Sequence, residues 1–216
     1  GGCDDTTGGG QTAGSVYVFV RNAADGTWSQ QAQLFADDAA AGDYFGFSVA
    51  LRGDTLVVGA PGDDTSAGTD AGSAYVFVRS GESWGQQAQL APTTAREFVS
   101  FGSNVALDGD TVAVGSRQDE AYVFARDLDV WSEQADLIPE GVPNNPRGFG
   151  QALALDGDTL VVGAGSDEAR GYGAGSVYLF ARANGAWSAQ GQLFASDAAP
   201  DDGFGGAVEG ADDDFG

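Results

Sequence analysis

Short apolar segments separated by glycine, aspartate and other turn residues recur along the chain. One set is centred on a tyrosine and reads SVYVFV, SAYVFV, EAYVFA and SVYLFA. A second set begins at a tryptophan and reads WSQQAQL, WGQQAQL, WSEQADL and WSAQGQL. A third set, TLVVGA twice and TVAVGS once, follows a Gly-Asp pair. Apolar runs of this length between turn residues are typical of short β-strands, so the pattern predicts an all-β protein.

The segments recur in a constant order, so the chain consists of about four copies of one repeat. The tryptophan segments begin at Trp28, Trp84, Trp131 and Trp187, and the successive spacings are 56, 47 and 56 residues. A Phe-Gly pair opens a further apolar segment in each unit, which brings the unit to four strands. Repeated four-stranded units of this length are the pattern of β-propeller blades. We therefore predict a β-propeller of four-stranded antiparallel blades, with about four blades' worth of sequence.

The four strands of a unit differ in their expected burial. The first and second strands are joined by a Gly-Asp or Asp-Gly pair, as in ALRGDTL, which predicts a tight hairpin. The second and third strands are apolar at consecutive positions, so both of their faces must be covered. The fourth strand alternates apolar with polar residues, as expected of a half-exposed outer strand. The tripeptide Arg52-Gly53-Asp54 belongs to one of these hairpins, and we interpret it as a turn, not as an adhesion motif.

The repeats set the predicted domain boundaries. Complete blades are expected at residues 42–90, 98–137 and 146–193, and partial blades at 4–34 and 201–216. Two arrangements of the ends are compatible with this division. Either the chain is a fragment of a larger propeller, or the two partial blades combine and close a four-bladed ring. The unit that is nine residues shorter loses them between its second and third strands, which marks that loop as the variable element.

The same residues resemble the FG-GAP repeats, which form the propeller blades of integrin α-subunits and of many secreted microbial proteins. Phe45-Gly46 opens the second unit, Gly59-Ala60-Pro61 closes its second strand, and a GSAYVF segment follows. The resemblance implies a propeller that is extracellular or at the cell surface and acts in adhesion or ligand binding. It also implies calcium in a loop between the first two strands. The three complete units have only a short hairpin there, and six to eight oxygen ligands need a longer loop, so that calcium site is not carried over to these three units.

The loop between the second and third strands is the remaining candidate for binding. Loops on a rigid scaffold commonly carry recognition, so we predict ligand contacts in the loops at 61–72 and 166–175. The candidate residues are Asp63, Asp64, Asp70, Asp167 and Tyr172. Three of them, Asp63, Asp64 and Asp70, are also candidate ligands for a Ca²⁺ ion, because this cation prefers carboxylate and carbonyl oxygens. The alternative is a solvated acidic loop without a metal.

Charge and residue types limit the partners and the chemistry. The chain holds 32 acidic and 9 basic residues, which gives a net charge of −23. Such a surface repels nucleic acid and anionic lipid. No apolar run reaches the roughly 20 residues of a membrane span, so we expect no membrane insertion. Histidine is absent and cysteine occurs once, which removes Ser-His, Cys-His and His-ligated zinc chemistry.

These limits define the expected function. We expect a binding or adhesion module without enzymatic activity, which presents its loops to a protein or glycan ligand at the cell surface. The alternative function is a non-catalytic structural part of a secreted multidomain enzyme that acts on glycans.

The acidic composition predicts that salt stabilises the protein, and we interpret it as the sign either of a halophilic source or of a protein that binds many cations. Repulsion among acidic side chains acts over about 10 Å at 0.1 M salt and over only about 3 Å at 1 M. The thermal midpoint, measured by calorimetry, is therefore expected to rise when KCl is increased over this range. A midpoint that falls or stays constant would contradict the halophile hypothesis.

Overall fold

A computed structural model describes residues 10–137, 139 and 146–209. Fourteen β-strands lie within this part of the chain, in one two-stranded sheet and three four-stranded sheets. The two-stranded sheet comprises β1 (Val16–Arg21) and β2 (Trp28–Leu34). The four-stranded sheets comprise β3 (Ser48–Arg52), β4 (Thr55–Ala60), β5 (Ser73–Ser80) and β6 (Ser83–Leu90); β7 (Asn104–Asp108), β8 (Thr111–Gly115), β9 (Ala121–Asp127) and β10 (Val130–Leu137); and β11 (Phe149–Asp156), β12 (Thr159–Ala164), β13 (Ser176–Ala183) and β14 (Ala186–Leu193). Among these residues no helix is long and apolar enough to span a membrane.

Each four-stranded sheet is a meander whose strands pair in chain order, antiparallel throughout. The hairpins between first and second strands contain Gly53, Gly109 and Gly157, each at a positive φ that glycine adopts without strain. The second strand β4 is buried at every position, whereas the outer strand β6 is partly exposed. The prediction of four-stranded antiparallel blades is therefore confirmed, and the fold is all-β and propeller-like.

Hydrophobic cores lie between consecutive sheets. Val57 and Val76 of the β3–β6 sheet pack in one cluster with Phe101, Tyr122 and Phe124 of the next blade. Phe101 comes from the Phe-Gly pair and is fully buried. Its ring meets those of Tyr122 and Phe124 edge to face, at 5.7 and 5.9 Å between centroids. The same three-ring arrangement recurs for Phe45 with Tyr75 and Phe77, and for Phe149 with Tyr178 and Phe180.

Glycine lets the backbones of consecutive blades approach closely. A Cβ atom added to Gly59 in β4 would lie 1.9 Å from the carbonyl oxygen of Gly102, in the Phe-Gly pair of the next blade. A Cβ atom on Gly72 would lie 2.2 Å from the carbonyl oxygen of Phe101. The N–H of Phe101 donates to the carbonyl of Ala71 at 3.0 Å. The motif residues Phe-Gly and Gly-Ala-Pro thus form the backbone contact between blades.

One hydrogen bond joins the outer strands at each junction between blades. The indole N–H of Trp84 donates to the side-chain oxygen of Gln31, in the preceding blade, at 2.9 Å. The same bond runs from Trp131 to Gln87 and from Trp187 to Gln134, at 2.8 and 2.7 Å. Each acceptor stands three residues after the tryptophan of its own blade. The repeated W-x-x-Q spacing therefore records a contact between neighbouring blades.

The described residues do not form a closed ring. Tyr17 and Phe19 of β1 are 44% and 53% exposed, whereas their counterparts Tyr75 and Phe77 are buried. In the part of the chain that the structure describes, no strand follows β14, and β1 gains no partner from the C-terminal segment. The four-bladed ring closed by the two partial blades is therefore not formed by these residues. Of the predicted partial blades, positions 4–9 and 210–216 lie outside the described residues.

Candidate functional site

The loops that carry the predicted site residues lie at one end of the sheets. The Phe-Gly segment precedes the first strand of a blade, and the loop between the second and third strands leaves at the same end, because neighbouring strands are antiparallel. Isolated bridges join the two kinds of loop, between Gly72 and Phe101 and between Gly175 and Phe204. We call this end of the sheets the loop face.

Two of the predicted ligand contacts, Asp63 and Asp167, are buried inside their own loops, at 4% and 7% exposure. One carboxylate oxygen of Asp63 accepts hydrogen bonds from the Tyr75 hydroxyl at 2.9 Å and from the Gln89 amide at 3.0 Å. Burial raises the pKa of Asp63, and the hydrogen bonds that it accepts oppose the rise. These two acids hold their loops onto the third and fourth strands, and contact between them and a ligand stays a prediction.

The network around Asp167 repeats the one around Asp63. The Tyr178 hydroxyl donates to Asp167 at 3.1 Å, the Gln192 amide donates at 2.9 Å, and the Ser176 hydroxyl also donates. Burial raises the pKa of Tyr178 to about 12, so its phenol remains a donor at neutral pH. Gln89 and Gln192 both stand five residues after the tryptophan of their blade. That shared position is the signal from which the network was predictable.

The β7–β10 blade, which has the short loop, has a different hydrogen-bond network that includes an ion pair. Its loop has no counterpart of Asp63, and the Tyr122 hydroxyl donates instead to Glu120 at 3.1 Å. Arg96 pairs with Glu120 at 2.6 Å. Asp136 stands at the glutamine position, and burial together with the nearby Glu120 raises the pKa of Asp136. A carboxylate that accepts from the buried tyrosine is thus kept although the loop is shorter.

Asp43, immediately before Tyr44 and the Phe-Gly pair, is a buried acid that weakens the fold at neutral pH. It is 3% exposed, and its carboxylate accepts a hydrogen bond from the backbone N–H of Ala40 at 2.6 Å. Burial raises the pKa of Asp43 to about 6. Between about pH 4 and about pH 6 the folded protein therefore binds more protons than the unfolded chain, and the free energy of unfolding falls as the pH rises through this window.

We expect the substitution Asp43→Asn to prevent this loss of unfolding free energy. The amide oxygen of asparagine still accepts the hydrogen bond from the Ala40 N–H, but it carries no charge. The gain in unfolding free energy over the wild type is expected to be roughly 1–3 kcal/mol at about pH 7.5 and to vanish at about pH 4. Urea unfolding of both proteins at the two pH values measures it. An equal difference at both pH values would contradict the raised pKa.

Asp64 and Asp70 do not converge with Asp63. The carboxylate of Asp64 accepts a hydrogen bond from the backbone N–H of Asp70 at 2.9 Å, whereas Asp63 faces Tyr75. Within the described ranges, no three or more acidic, cysteine or histidine side chains are arranged to hold a metal ion. The geometry gives no support to calcium at these three residues. Calcium binding there stays a prediction, and titration calorimetry at physiological salt tests it.

One cleft of the loop face contains the predicted residue Tyr172. We call it the Tyr172 cleft; its volume is about 490 Å³, and its side chains come chiefly from Asp119, Arg147, Gln151, Glu168, Tyr172 and Asp201. Tyr172 is 67% exposed, as expected from the sequence. Arg147 pairs with Glu168 at 3.0 Å. The cleft therefore combines one exposed aromatic ring with a charged and polar lining.

A second cleft lies at the equivalent place two repeats earlier, between the β3–β6 and β7–β10 sheets. We call it the Arg117 cleft; its volume is about 340 Å³, and it is lined by Tyr44, Phe47, Pro61, Asp70, Ser100 and Arg117, with Gly62 between them. Tyr44 and Phe47 are 45% and 52% exposed. The guanidinium of Arg117 lies 5.0 Å from the centre of the Phe47 ring. Of the lining residues, the sequence had pointed only to Asp70 and to the loop that contains it.

Tyr44 holds a backbone conformation that a bulky residue disfavours. The residue before the Phe of each Phe-Gly pair has a positive φ, which is 57° at Tyr44, 55° at Ser100, 80° at Gly148 and 66° at Gly203. Glycine adopts this conformation freely, whereas a bulky side chain there is an outlier. Residues with such strain cluster at binding and catalytic sites. Comparison of the repeats at this position therefore marks the exposed Tyr44 as a candidate binding residue.

Structural comparison returns solved proteins that share little sequence with this chain. Sqt1 of Saccharomyces cerevisiae is similar with a TM-score of 0.46 and 11% identity, over 70% of this chain and 36% of Sqt1. The computationally designed Ika8 protein has a TM-score of 0.48 and 14% identity, over 78% of this chain and 41% of Ika8. The designed Ika4 protein has a TM-score of 0.42 and 15% identity, over 72% of this chain and 73% of Ika4. This chain thus spans less than half the length of Sqt1 and of Ika8.

Sequence comparison identifies the repeat itself. No curated protein matches the chain significantly. A family model described as FG-GAP repeat matches residues 28–77, 84–124 and 131–180, which together make up more than half of the chain. Each matched range begins at the tryptophan of an outer strand and ends in the third strand of the following blade, so it spans one junction between blades. This protein therefore belongs to the FG-GAP repeat family.

Proposed function

We propose that this chain is an extracellular binding module that holds sugar units of a glycan in the clefts of its loop face. FG-GAP repeats form β-propeller modules that typically occur in extracellular proteins, often in adhesion. The observation that carries the proposal is the presence of two clefts at equivalent places in two repeats, two units apart, with different linings. A rigid scaffold with varied loops is the usual arrangement of a recognition surface.

The size and chemistry of the clefts favour a glycan over a protein partner. Their volumes of about 490 and 340 Å³ fall in the range of pockets for small molecules, roughly 300–1,000 Å³. A stable protein interface instead buries roughly 1,200–2,000 Å² of surface. Each cleft presents an exposed aromatic ring, Tyr172 in one and Phe47 in the other, beside carboxylate and hydroxyl groups. Aromatic faces with nearby hydrogen-bonding groups suit the apolar faces and hydroxyls of a sugar ring.

We further propose that binding occurs without catalysis. In the Tyr172 cleft, Asp119 accepts a hydrogen bond from the backbone N–H of Gly148 at 2.6 Å, and Glu168 is paired with Arg147. These carboxylates are engaged in holding the loops, which disfavours a role as the acid and base of a glycosidase. Incubation with polysaccharides followed by an assay for new reducing ends tests this. Release of reducing ends would replace the binding proposal by an enzymatic one.

Retention of soluble polysaccharides on the immobilised chain tests the binding proposal. We expect the wild type to retain at least one member of a panel of neutral and acidic polysaccharides, and the double variant Phe47→Ala/Tyr172→Ala to lose that retention at least tenfold. Trp28→Ala is the control, because Trp28 is also an exposed aromatic, at 66%, but starts β2 at the end of the sheet opposite the loop face. No retention by the wild type, or equal losses in the double variant and the control, would overturn the proposal.

A further inference from the structure

We infer that the Arg117 cleft takes a sugar ring that bears a carboxylate, such as a hexuronic acid unit of an acidic glycan. This inference rests on the proposed binding function and names the ligand class of one of its two clefts. Four features of the cleft carry it: an arginine with no acidic partner among the described residues, the ring on which that arginine lies, a strained exposed tyrosine, and a volume that fits one or two sugar rings.

Arg117 is one of three arginines, with Arg21 and Arg170, that form no ion pair with the described residues. Six other arginines form ion pairs: Arg52, Arg79, Arg96, Arg126, Arg147 and Arg182. Arg117 pairs with no carboxylate among the residues that the structure describes, although the chain carries 32 acidic residues. Its side chain lies on the ring of Phe47 instead. In so acidic a protein, an arginine left without an acid is available for an anion from outside.

The contact with Phe47 prepares Arg117 for a planar anion. The guanidinium centre lies 5.0 Å from the ring centroid, within the range of a cation–π interaction. A guanidinium held on a ring loses less conformational freedom when a ligand binds, and its N–H groups form a fork that matches a carboxylate with two parallel hydrogen bonds. Arg117 therefore gives the cleft a binding group for a carboxylate, and Asp70 elsewhere in the lining carries the opposite charge.

The rest of the lining matches a sugar ring. Tyr44 and Phe47 are both about half exposed, and Tyr44 keeps its side chain in the cleft at a backbone conformation that two other repeats fill with glycine and a third with serine. Asp70 and Ser100 add oxygen atoms that accept hydrogen bonds from hydroxyl groups. At about 340 Å³ the cleft is small for a folded partner or an extended peptide, and it fits one or two sugar rings.

Arg170 provides a matched comparison. It also lies on an aromatic ring, with its guanidinium centre 4.7 Å from the centroid of Phe194, and it has no ion pair in the described chain. It lies outside these two clefts, in a third cleft of about 520 Å³ at the end of the outer strand β14, whose lining includes Gln192, Leu193 and Phe194. Arg117→Gln and Arg170→Gln therefore change the net charge equally, remove the same kind of stacking, and differ in whether the strained Tyr44 is nearby.

Calorimetric titration with two oligosaccharides tests the inference. One is built of glucuronic acid and the other of glucose in the same linkage, so the pair differs in the carboxylate alone. We expect the wild type to bind the glucuronic acid oligomer at least tenfold more tightly. Arg117→Gln is expected to erase this preference, Arg117→Lys to restore part of it, and Arg170→Gln to leave it intact. Molar KCl suppresses the general repulsion between the protein and an acidic ligand, so both titrations are made there.

The outcomes separate this inference from the proposed function. Equal binding of the two oligosaccharides by the wild type, or equal losses in Arg117→Gln and Arg170→Gln, would overturn the carboxylate assignment and leave glycan binding in place. Failure of the wild type to bind any polysaccharide of the panel would overturn both. An aspartate-rich peptide that binds through Arg117 while neither oligosaccharide binds would assign the cleft to acidic peptides and overturn the sugar.

Discussion

A Gly59→Ala variant is expected to lose at least about 3 kcal/mol of unfolding free energy, although it gains only one methyl group. The added Cβ atom would lie 1.9 Å from the carbonyl oxygen of Gly102 and 2.4 Å from the Ser48 hydroxyl. The first of these neighbours is backbone, which cannot rotate away, so the junction between two blades must open. Urea unfolding in molar KCl, followed by tryptophan fluorescence, measures the loss.

Gly85→Ala is the control for this prediction. Gly85 also lies in a strand, β6, but a Cβ atom there meets no atom within 4 Å. Alanine in place of a strand glycine reduces the entropy of the unfolded chain, so Gly85→Ala is expected to be neutral or to stabilise by up to about 1 kcal/mol. If Gly59→Ala and Gly85→Ala unfolded at the same urea concentration, the close approach of the blades would not be a feature of the protein in solution.

The second large effect is expected from Phe101→Ala, at about 3–5 kcal/mol. Phe101 is fully buried between two sheets, and its ring meets the edges or faces of Tyr122 and Phe124. Truncation removes the buried apolar area, both ring contacts and the filling of the cavity. Because natural domains are stable by only about 5–15 kcal/mol, a loss of this size brings the protein close to unfolding at room temperature.

The last described Phe-Gly pair supplies the control for Phe101. Phe204 has the same motif position and the same backbone hydrogen bond, from its N–H to the carbonyl of Ala174 at 3.0 Å, but its side chain is 36% exposed. Phe204→Ala is expected to cost less than about half as much as Phe101→Ala, since the transfer free energy follows the buried area. Chemical unfolding of both variants tests this ratio. Equal costs would show that the motif acts through its backbone and not through ring burial.

The strands and their order were predictable because every repeat has the same pattern of apolar segments and turn residues. The predicted second blade, 42–90, contains β3 to β6, and the fourth strand of the first unit begins at Trp28, as its sequence segment does. Residues that play the same structural role in every repeat could be identified from their spacing alone. The shortened loop was located correctly as well, because the nine missing residues fall between Gly115 and Tyr122, where β8 passes into β9.

The site was predictable only in part, since the acids of the loops look alike in sequence. Asp63 and Asp64 are neighbours, yet Asp63 is buried below Tyr75 while Asp64 is exposed. That difference depends on Gln89, which lies 26 residues away and donates to Asp63. The Arg117 cleft was missed for a related reason. Its lining comes from two different blades, and no single repeat contains both the arginine and Tyr44.

Each of these blades has a tryptophan at the position that donates the hydrogen bond between blades and a glutamine at the position that accepts it from the next blade. Any blade with this pair is therefore an acceptable neighbour for any other, and duplication or exchange of whole units preserves the bond. The clefts behave differently, because the Arg117 cleft takes Tyr44 from one blade and Arg117 from the next. If the same blades stood in a different order, the clefts between them would have new combinations of lining residues. If the clefts bind ligands as proposed, ligand choice is a property of the order of the units, and a small number of units supports a larger repertoire of sites.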